Sequence, residues 1–262
     1  MEKTRIAIIG GTGFDRLFND SEQTSVETPY GTVQALFPSK IENKRVTFLP
    51  RHGVDHSVPP HKVNYRAHIF ALHKMGVERI LATNAVGAIN RDLEPGETVV
   101  PNDFIDFTKL RSTTFYDEAP VTHVDVSQPY CPEIRNLLIA NARKNGLHVW
   151  DKAILVCTEG PRYETPAEIA MFRHLGCDIV GMTGYPEAVL ARELEMCYAS
   201  ICYVSNRAAG MQQRLTAREV AEVSKKALPK IEQVLIDTIR ELPPKREGNC
   251  PCANALRNAR FE

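Results

Sequence analysis

The stretch Arg5-Ile6-Ala7-Ile8-Ile9, followed directly by Gly10-Gly11-Thr12-Gly13, decides the fold class of this 262-residue chain. The β-branched apolar run is typical of a buried strand, and the glycines predict a tight turn at its exit. Similar apolar runs alternate with helical segments along the chain. This alternation predicts one α/β domain, in which helices flank a twisted mixed β-sheet. The turn has two interpretations: Thr12 and the adjacent N–H groups cradle a phosphate, or the turn holds no ligand.

Further strands and helices are predicted outward from this stretch. Apolar runs predict strands at residues 46–49, 80–82, 153–157 and 198–204 and one that begins at residue 98, and helical patterns cover residues 64–75 and 132–144. Two capping boxes, Thr165 with Glu168 and Thr216 with Glu219, predict helix starts. We expect residues 1–242 to form the domain and residues 243–262 to form a C-terminal tail that carries Cys250-Pro251-Cys252.

Composition excludes several classes of partner. Lys and Arg together number 32, as do Asp and Glu, so no net field favours nucleic acid or a membrane surface. The apolar run near the N-terminus is too short for a signal peptide or a transmembrane helix. The chain is therefore expected to be a cytoplasmic protein that binds neither nucleic acid nor a membrane.

Seven cysteines are scattered along the chain without the spacing of a zinc site, so no metal is expected. Most of them are interpreted as buried apolar residues. The pair Cys250 and Cys252 follows two prolines and a polar segment, which favours an exposed redox or disulfide pair.

Donor groups follow several strands. Arg51-His52-Gly53 comes directly after a strand, and an arginine fork with a neighbouring histidine suits an oxyanion, although a solvated loop of charge is the alternative. Residues 83–87 (TNAVG) leave another strand with small side chains, and Thr183 follows a third. Because these exits offer donors and no carboxylate, they predict an anion site.

A second group of residues suits a planar ring. Tyr163 can stack on a heterocycle and Glu164 can accept a ring N–H, although a packed aromatic and a carboxylate at a helix start are equally open interpretations. Asn206 ends an apolar run and offers a donor together with an acceptor. Such an amide can bind a ring that carries a carbonyl group beside a nitrogen.

Six segments, in order and spacing, resemble the trimeric purine nucleoside phosphorylases, in particular their methylthioadenosine phosphorylase branch. They are residues 10–13 (GGTG), 51–53 (RHG), 64–67 (NYRA), 83–85 (TNA), 159–163 (EGPRY) and 181–187 (GMTGYPE). The resemblance implies phosphate binding by Thr12, Arg51, His52, Asn84, Ala85 and Thr183, ribose against Met182, and substrate contacts from Tyr163, Glu164, Asn206, Arg207 and Ala208. Asn206, Arg51 and His52 would carry the catalysis.

One departure from that branch concerns the substrate. The resemblance places aspartates, which suit adenine, where this chain has Asn206 and Ala208. The amide of Asn206 can donate to a 6-oxo group or N7 while Glu164 accepts from N1–H. The resemblance therefore implies phosphorolysis of 6-oxopurine nucleosides, namely inosine, guanosine or 5′-methylthioinosine, with a 5′-methylthioadenosine phosphorylase as the alternative.

The resemblance also implies the remaining partners. Inorganic phosphate is the co-substrate and no cofactor is needed, because positioning and electrostatics carry such a reaction. His123 matches a residue that relatives lend to the 5′ pocket of a neighbouring subunit, in a trimer or a dimer of trimers. Ala217, at the start of the last helix, occupies a position that influences the choice of 5′ substituent.

Three other functions stay open. A nucleosidase of the same fold would use water instead of phosphate. A nicotinamide-binding oxidoreductase would use the turn at residues 10–13, but positions 15 and 16 are aspartate and arginine, so the third glycine of its motif is missing. A non-catalytic binding protein is the third.

The fold that the resemblance implies also suggests a disulfide. In that fold the segment of Cys131 runs near the strand of Cys202, so these two form the expected internal bridge. Cys250 and Cys252, on a mobile tail, would form a strained and readily reduced pair, and seven free thiols are the alternative.

Overall fold

A computed structural model describes residues 5–11, 18, 21–213, 216–246 and 250–260 of the chain. Eleven strands and five α-helices lie in these residues. The strands are β1 (Ile6–Gly10), β2 (Thr24–Thr28), β3 (Gly31–Ile41), β4 (Lys44–Pro50), β5 (Arg79–Ala88), β6 (Thr98–Val99), β7 (Asp103–Phe107), β8 (Val149–Trp150), β9 (Ile154–Thr158), β10 (Ile179–Gly181) and β11 (Cys197–Arg207). The helices are α1 (Tyr65–Lys74), α2 (Pro132–Lys144), α3 (Pro166–His174), α4 (Glu187–Glu193) and α5 (Ala217–Glu241).

The strands form one mixed sheet that forks at β5. The first half of β5 pairs in parallel with β1, and its last two residues pair antiparallel with β10. Along its opposite edge β5 pairs in parallel with β11 over almost its whole length. Between the β1 and β10 pairings, residues 83–86 of β5 have no strand partner on that edge within the described part of the chain. This edge of β5 is therefore free of strand pairing at the centre of the fold, where the Thr83 carbonyl accepts from a side chain instead.

Helices cover both faces of this sheet. On one face, apolar residues of α2 and α5 pack against alternate residues of β1, β4 and β11. On the other face, α1 and α4 pack against the residues in between. A smaller cluster joins α3 to β9 and β10. The predicted α/β class with a single mixed sheet is confirmed.

The predicted helices and strands are present in the structure, and several strands are longer than predicted. The capping boxes at Thr165 and Thr216 are both formed, and Asn64 caps α1 by accepting from the N–H of Ala67. The strand predicted at residues 80–82 extends to Ala88, because its second half pairs with β10 and β11. Among the described helices, none is both long and apolar enough to cross a bilayer.

The expected Cys131–Cys202 contact is wrong. The thiol of Cys131 lies beside those of Cys197, Cys250 and Cys252, whereas Cys202 contacts Asn84 and Ser200. Successive residues of a strand point to opposite faces. Cys197 and Cys202 are an odd number of residues apart on β11, so only Cys197 faces the cluster that contains Cys131.

The expected exposure of the C-terminal cysteine pair is also wrong. Cys250 and Cys252 are 6% and 1% exposed, and residues 250–254 pack against the same apolar cluster as α2 and α5. The Leu256 N–H donates to Glu195 Oε1 (3.2 Å) and fastens this segment further. The division of the chain at residue 242 stays a prediction.

Lys44 joins the β3–β4 hairpin to the end of α5. Its ammonium donates to the carbonyl oxygens of Ile239 (2.6 Å), Arg240 (2.7 Å) and Leu242. The last carbonyls of a helix have no partner within the helix. A cation near them is also favoured by the partial negative charge at the C-terminal end of the helix. Lys44 thus satisfies the end of the helix that covers one face of the sheet.

We predict that Lys44→Met lowers the free energy of unfolding by about 1.5–3 kcal/mol, the usual contribution of hydrogen bonds to a charged group. Urea unfolding of both proteins measures the difference. Lys40→Met is the matched control, because Lys40 lies on the same hairpin with an exposed side chain. Equal losses in the two variants would contradict the capping role of Lys44.

Candidate active site

A cavity of about 570 Å³ opens where the sheet forks, at the carboxyl ends of β4, β5 and β11. Its volume suits a small organic ligand. One wall comes from α5, through Val220, Ala221, Ser224, Lys225, Leu228, Pro229 and Glu232. Nine residues predicted from the sequence line the cavity: Arg51, His52, Asn84, Ala85, Tyr163, Glu164, Met182, Thr183 and Asn206. The fold therefore brings the predicted anion site and ring site together.

Arg51 is held beneath the cavity by a buried ion pair. Its Nε donates to Glu187 Oε1 (2.5 Å), Nη2 donates to Glu187 Oε2 (3.0 Å), and Nη1 donates to the Thr83 carbonyl (2.8 Å). Although burial opposes the charged form, the Glu187 carboxylate raises the pKa of Arg51 above its ordinary value. These contacts engage three of the five N–H groups of a guanidinium. One N–H on each terminal nitrogen is left for a ligand.

His52 lies next to Arg51 as a neutral ring. Burial, and then the charge of Arg51, lower the pKa of His52 to about 4. Its Nδ1 lies 2.9 Å from the Val58 carbonyl, which can only accept, so Nδ1 carries the proton. The other ring nitrogen therefore presents a lone pair. His52 lines the cavity, and its part in the anion site stays a prediction.

The side chains of Asn84 and Thr183 bind each other. Thr183 Oγ1 donates to Asn84 Oδ1 (2.8 Å), and Asn84 Nδ2 donates to Ser200 Oγ (2.5 Å). The side-chain amide of Asn84 thus links β5, the β10 exit and β11. Residues 83–86, which lack a strand partner on one edge among the described strands, line the cavity.

Asn206 enters the cavity at a bulge. The β5–β11 register shifts between Val204 and Asn206, which sets Asn206 opposite Gly87. Its Oδ1 accepts from Ser205 Oγ (2.7 Å) and its Nδ2 donates to the Arg207 carbonyl (2.8 Å). That carbonyl fixes the amide orientation, because the opposite orientation would bring two oxygens together. One N–H of Asn206 remains for a ligand.

Gly87 makes room for this amide. A Cβ at position 87 would stand 3.1 Å from Asn206 Nδ2 and 3.2 Å from a Val180 methyl group, both tighter than ordinary contacts. Gly160 plays a similar part for Met182, whose sulfur would lie 2.7 Å from a Cβ at position 160. Two glycines therefore let the cavity side chains approach the backbone.

Glu164 and Tyr163 also line the cavity. Thr158 Oγ1 donates to Glu164 Oε1 (2.7 Å), which orients the carboxylate and leaves its second oxygen as an acceptor. Tyr163 is 44% exposed and borders the opening. An exposed aromatic ring at a cavity mouth suits stacking on a planar ligand.

Several predicted site residues lie elsewhere. Arg207 turns away to the Arg91 carbonyl and Glu94, and Ala208 is buried behind Gly87 in the α3 cluster. The side chains of Arg207 and Ala208 therefore do not line the cavity. His123 lies on an exposed loop outside the cavity wall. Thr12 falls outside the described residues, as does the side chain of Ala217, although its backbone begins α5.

Sequence reasoning missed the residues that position the site. In the sequence Glu187 only ends the motif at residues 181–187, yet it binds Arg51, and Tyr198 Oη donates to its Oε2 (2.8 Å). A carboxylate at the start of a helix that follows a strand gave no sign of this distant partner. The sequence places only the start of α5 near the substrate, through Ala217, and the rest of the α5 wall, from Ser224 to Glu232, looks like part of an amphipathic helix.

Residues 5–240 match the family model that describes the phosphorylase superfamily. The chain is 53% identical over 258 residues to a probable S-methyl-5′-thioinosine phosphorylase of Methanopyrus kandleri, a match that covers 98% of this chain and 99% of the relative. It is 49% identical to a 6-oxopurine nucleoside phosphorylase of Pyrococcus furiosus, with 97% and 98% covered.

Solved structures of similar proteins share the fold. A double mutant of the adenosine/methylthioadenosine phosphorylase of Schistosoma mansoni, solved with adenine, superposes with a TM-score of 0.90 at 31% identity and covers 98% of this chain and 99% of that one. A methylthioadenosine phosphorylase from an antarctic soil metagenomic library also has a TM-score of 0.90, at 32% identity, with 100% and 93% covered.

Two histidines, the buried His52 and the half-buried His68, predict a pH-dependent stability. Burial lowers the pKa of His52 and of His68 to about 4, and His68 lies near the Arg51–Glu187 pair. Below about pH 6.5 the unfolded chain binds protons that the folded chain does not, so stability present above that pH is lost as the pH falls toward 4. The free energy of unfolding should fall by up to about 1.4 kcal/mol per pH unit for each histidine.

Urea unfolding at several pH values between about 7 and 5 measures this slope. His68→Asn should make it shallower. His174→Asn is the matched control, because the side chain of His174 is exposed. Parallel slopes for the wild-type protein and His68→Asn would show that His68 is protonated equally in both states.

Proposed function

This chain belongs to the phosphorylase superfamily, and we propose that it cleaves 6-oxopurine nucleosides with inorganic phosphate. The products are the free purine base and ribose 1-phosphate, or its methylthio analogue when 5′-methylthioinosine is the substrate. One observation carries this proposal: an N–H of Asn206 and a carboxylate oxygen of Glu164 face the same cavity as the Arg51 guanidinium. The Asn206 N–H and the Glu164 oxygen match a 6-oxopurine, and the Arg51 guanidinium matches phosphate.

The base is recognised by complementary polar groups. A 6-oxopurine has a donor at N1–H and acceptors at O6 and N7. Asn206 donates to O6 or N7 with the N–H that Arg207 does not engage, and Glu164 accepts from N1–H with the oxygen that Thr158 leaves. Adenine keeps the N7 acceptor, but it has a donor amino group in place of O6 and no N1–H, so the contacts to O6 and N1–H would be lost. Unpaired buried polar groups disfavour such a substrate strongly.

Phosphate is held at the fork of the sheet. Arg51 offers two N–H groups of fixed orientation, since Glu187 and Thr83 engage the other three. The open backbone groups of Asn84 and Ala85, together with Thr183, complete the contacts. His52 supplies a lone pair, which suits the hydroxyl of a protonated phosphate oxygen.

The reaction uses the base contacts and the phosphate contacts together. Breaking the ribosyl C–N bond leaves positive charge on the sugar and negative charge on the purine. Phosphate attacks the sugar carbon as nucleophile while its charge stabilises the developing cation. Asn206 stabilises the departing base by donating to it, and Met182 packs against the ribose. Because phosphate and purine carry the chemistry, we propose that no cofactor takes part.

The 5′ end of the substrate extends toward the α5 wall. Val220, Ala221 and Leu228 give this wall an apolar part that suits a methylthio group. Ser224 holds the wall to the sheet, because the hydroxyls of Tyr203 and Ser224 lie 2.9 Å apart. Guanosine, inosine and methylthioinosine share the proposed base contacts, so the wall discriminates only between their 5′ groups.

We also propose that the enzyme is a cytoplasmic trimer or dimer of trimers. His123 supports this proposal: it lies on an exposed loop away from its own cavity, where a neighbouring subunit could meet it. In that assembly His123 would contact the 5′ group in the neighbour's site.

We predict that 6-oxopurine nucleosides exceed adenosine and methylthioadenosine in kcat/KM by at least roughly 100-fold. Phosphorolysis rates for inosine, guanosine, methylthioinosine and methylthioadenosine, measured side by side, give this ratio. Asn206→Asp should narrow the gap, because a carboxylate cannot donate to O6. Asn136→Asp makes the same change at an exposed position of α2 and should leave the ratio as it is. Equal turnover of methylthioadenosine by the wild-type enzyme would instead favour a methylthioadenosine phosphorylase.

Phosphate binding is tested without leaving a buried charge unpaired. The double variant Arg51→Gln/Glu187→Gln removes both members of the pair, so the site stays neutral. The KM for phosphate should rise about 10- to 100-fold, as expected for lost charge-assisted hydrogen bonds, with a smaller change in the KM for nucleoside. The matched control is Arg79→Gln/Glu133→Gln, which removes an ion pair (3.3 Å) outside the cavity wall.

Steady-state kinetics with phosphate and nucleoside varied separately measure both constants. Unchanged phosphate kinetics in the Arg51→Gln/Glu187→Gln variant would contradict the proposed anion site. Turnover by the wild-type enzyme without phosphate would show that it is a nucleosidase.

A further inference from the structure

Four cysteines from three distant parts of the chain meet inside the fold. Cys131 lies directly before α2, Cys197 begins β11, and Cys250 and Cys252 belong to the C-terminal segment. Their sulfur atoms all lie within 4.8 Å of one another. All four side chains are buried, in the apolar cluster between the sheet and the helices α2 and α5. The proposed reaction uses none of them.

The spacing of the sulfur atoms matches a tetrahedral metal centre. A zinc ion with four Zn–S bonds of about 2.3 Å sets neighbouring sulfur atoms about 3.8 Å apart. The sulfur atoms of Cys197 and Cys250 lie 3.5 Å apart. A disulfide needs a separation of about 2.05 Å, and all seven cysteines are free thiols. The cluster is therefore too wide for disulfides and close to the size of a tetrathiolate site.

The surroundings suit thiolates that bind a cation. The positively charged side chain of Arg192 acts electrostatically on Cys252, and this side chain is itself buried and donates to the Gln128 carbonyl. Four thiolates around one divalent ion carry two excess negative charges, which a nearby guanidinium partly balances.

We propose that Cys131, Cys197, Cys250 and Cys252 bind one zinc ion in a closed structural site. Soft thiolate ligands select zinc, and four protein ligands leave no open position for a water or a substrate. The site is separate from the nucleoside cavity, because none of the four cysteines lines that cavity. Its role is to fasten the C-terminal segment to the body of the fold.

The C-terminal segment also contacts the loop of His123. The His123 N–H donates to the Ala259 carbonyl (2.8 Å), and Thr122 forms an isolated β-bridge with Arg260. Ala259 comes only seven positions after Cys252, so an ion at the cysteines holds the segment of chain that this loop contacts. The zinc site thereby stabilises the position of His123 from a distance.

The metal content of the full-length protein tests the proposal directly. Protein purified under reducing, chelator-free conditions should contain about one zinc ion per chain by elemental analysis. Cobalt exchanged into the site should give the visible and near-ultraviolet bands of tetrahedral cobalt bound by thiolates. The double variant Cys250→Ser/Cys252→Ser should lose the zinc, whereas Cys177→Ser and Cys202→Ser, which change buried cysteines outside the cluster, should keep it.

Hydrogen exchange supplies a second readout that does not depend on activity. Removal of the ion should speed exchange in the peptides that contain His123 and residues 250–260 more than in α1, which lies on the other face of the sheet. If the double variant fails to fold, the zinc content and cobalt spectrum of the wild-type protein still decide the matter.

Two results would overturn the proposal. One is reduced wild-type protein that binds neither zinc nor cobalt. The other is unreduced protein without metal in which only three of the seven thiols titrate after denaturation, because the four clustered cysteines would then be paired as disulfides.

Discussion

The buried ion pair between Arg51 and Glu187 is the contact on which the cavity depends. Arg51 follows β4, Glu187 begins α4, and the pair also engages the Thr83 carbonyl on β5 and the hydroxyl of Tyr198 on β11. Four elements are thus joined at one point beneath the cavity. Removing one partner of such a pair leaves a buried charge uncompensated and typically costs about 3–5 kcal/mol. The same contacts fix the orientation of the Arg51 guanidinium at the cavity.

Around this pair, most polar groups of the cavity are already bound within the protein. Asn84 and Thr183 bind each other, Thr158 orients Glu164, and Ser205 orients Asn206. Each side chain therefore offers a ligand a restricted set of atoms in a fixed direction. Such preorganisation favours catalysis, because little reorganisation is needed as charge develops on the base and the sugar.

The shape of the sheet explains why the ligand groups meet at this place. Since β5 pairs with β1 along its first half and with β10 only at its end, the backbone between the two pairings is open. The β-bulge in β11 turns Asn206 toward the same opening, and Gly87 leaves the space that its amide needs. On the far side of the fold, the cysteine cluster holds the C-terminal segment against the start of β11.

The sequence by itself determined the local features of this protein. Capping residues such as Thr165 and Thr216 fix helix starts, because their hydrogen bonds span only three residues. Apolar runs that end in polar residues indicated the strands and also the exits that carry Arg51 and Asn206. Arg51, His52, Asn84, Ala85 and Asn206 line one cavity because β4, β5 and β11 run in one direction, and neighbouring parallel strands end at the same edge of a sheet. The other four predicted residues of the cavity follow β9 and β10, which run antiparallel to β5, so it is the fork of the sheet that brings them there.

Only the tertiary structure decided which distant residues meet. The partner of Arg51 lies 136 residues away, and the face of β11 that Cys197 shares with Cys131 depends on strand parity and on the helices that cover each face. Arg207 and Ala208 lie next to Asn206 in sequence, yet the bulge and the loop beyond it turn them away from the cavity. Contacts of this kind arise from register and packing across the whole fold, and no local pattern encodes them.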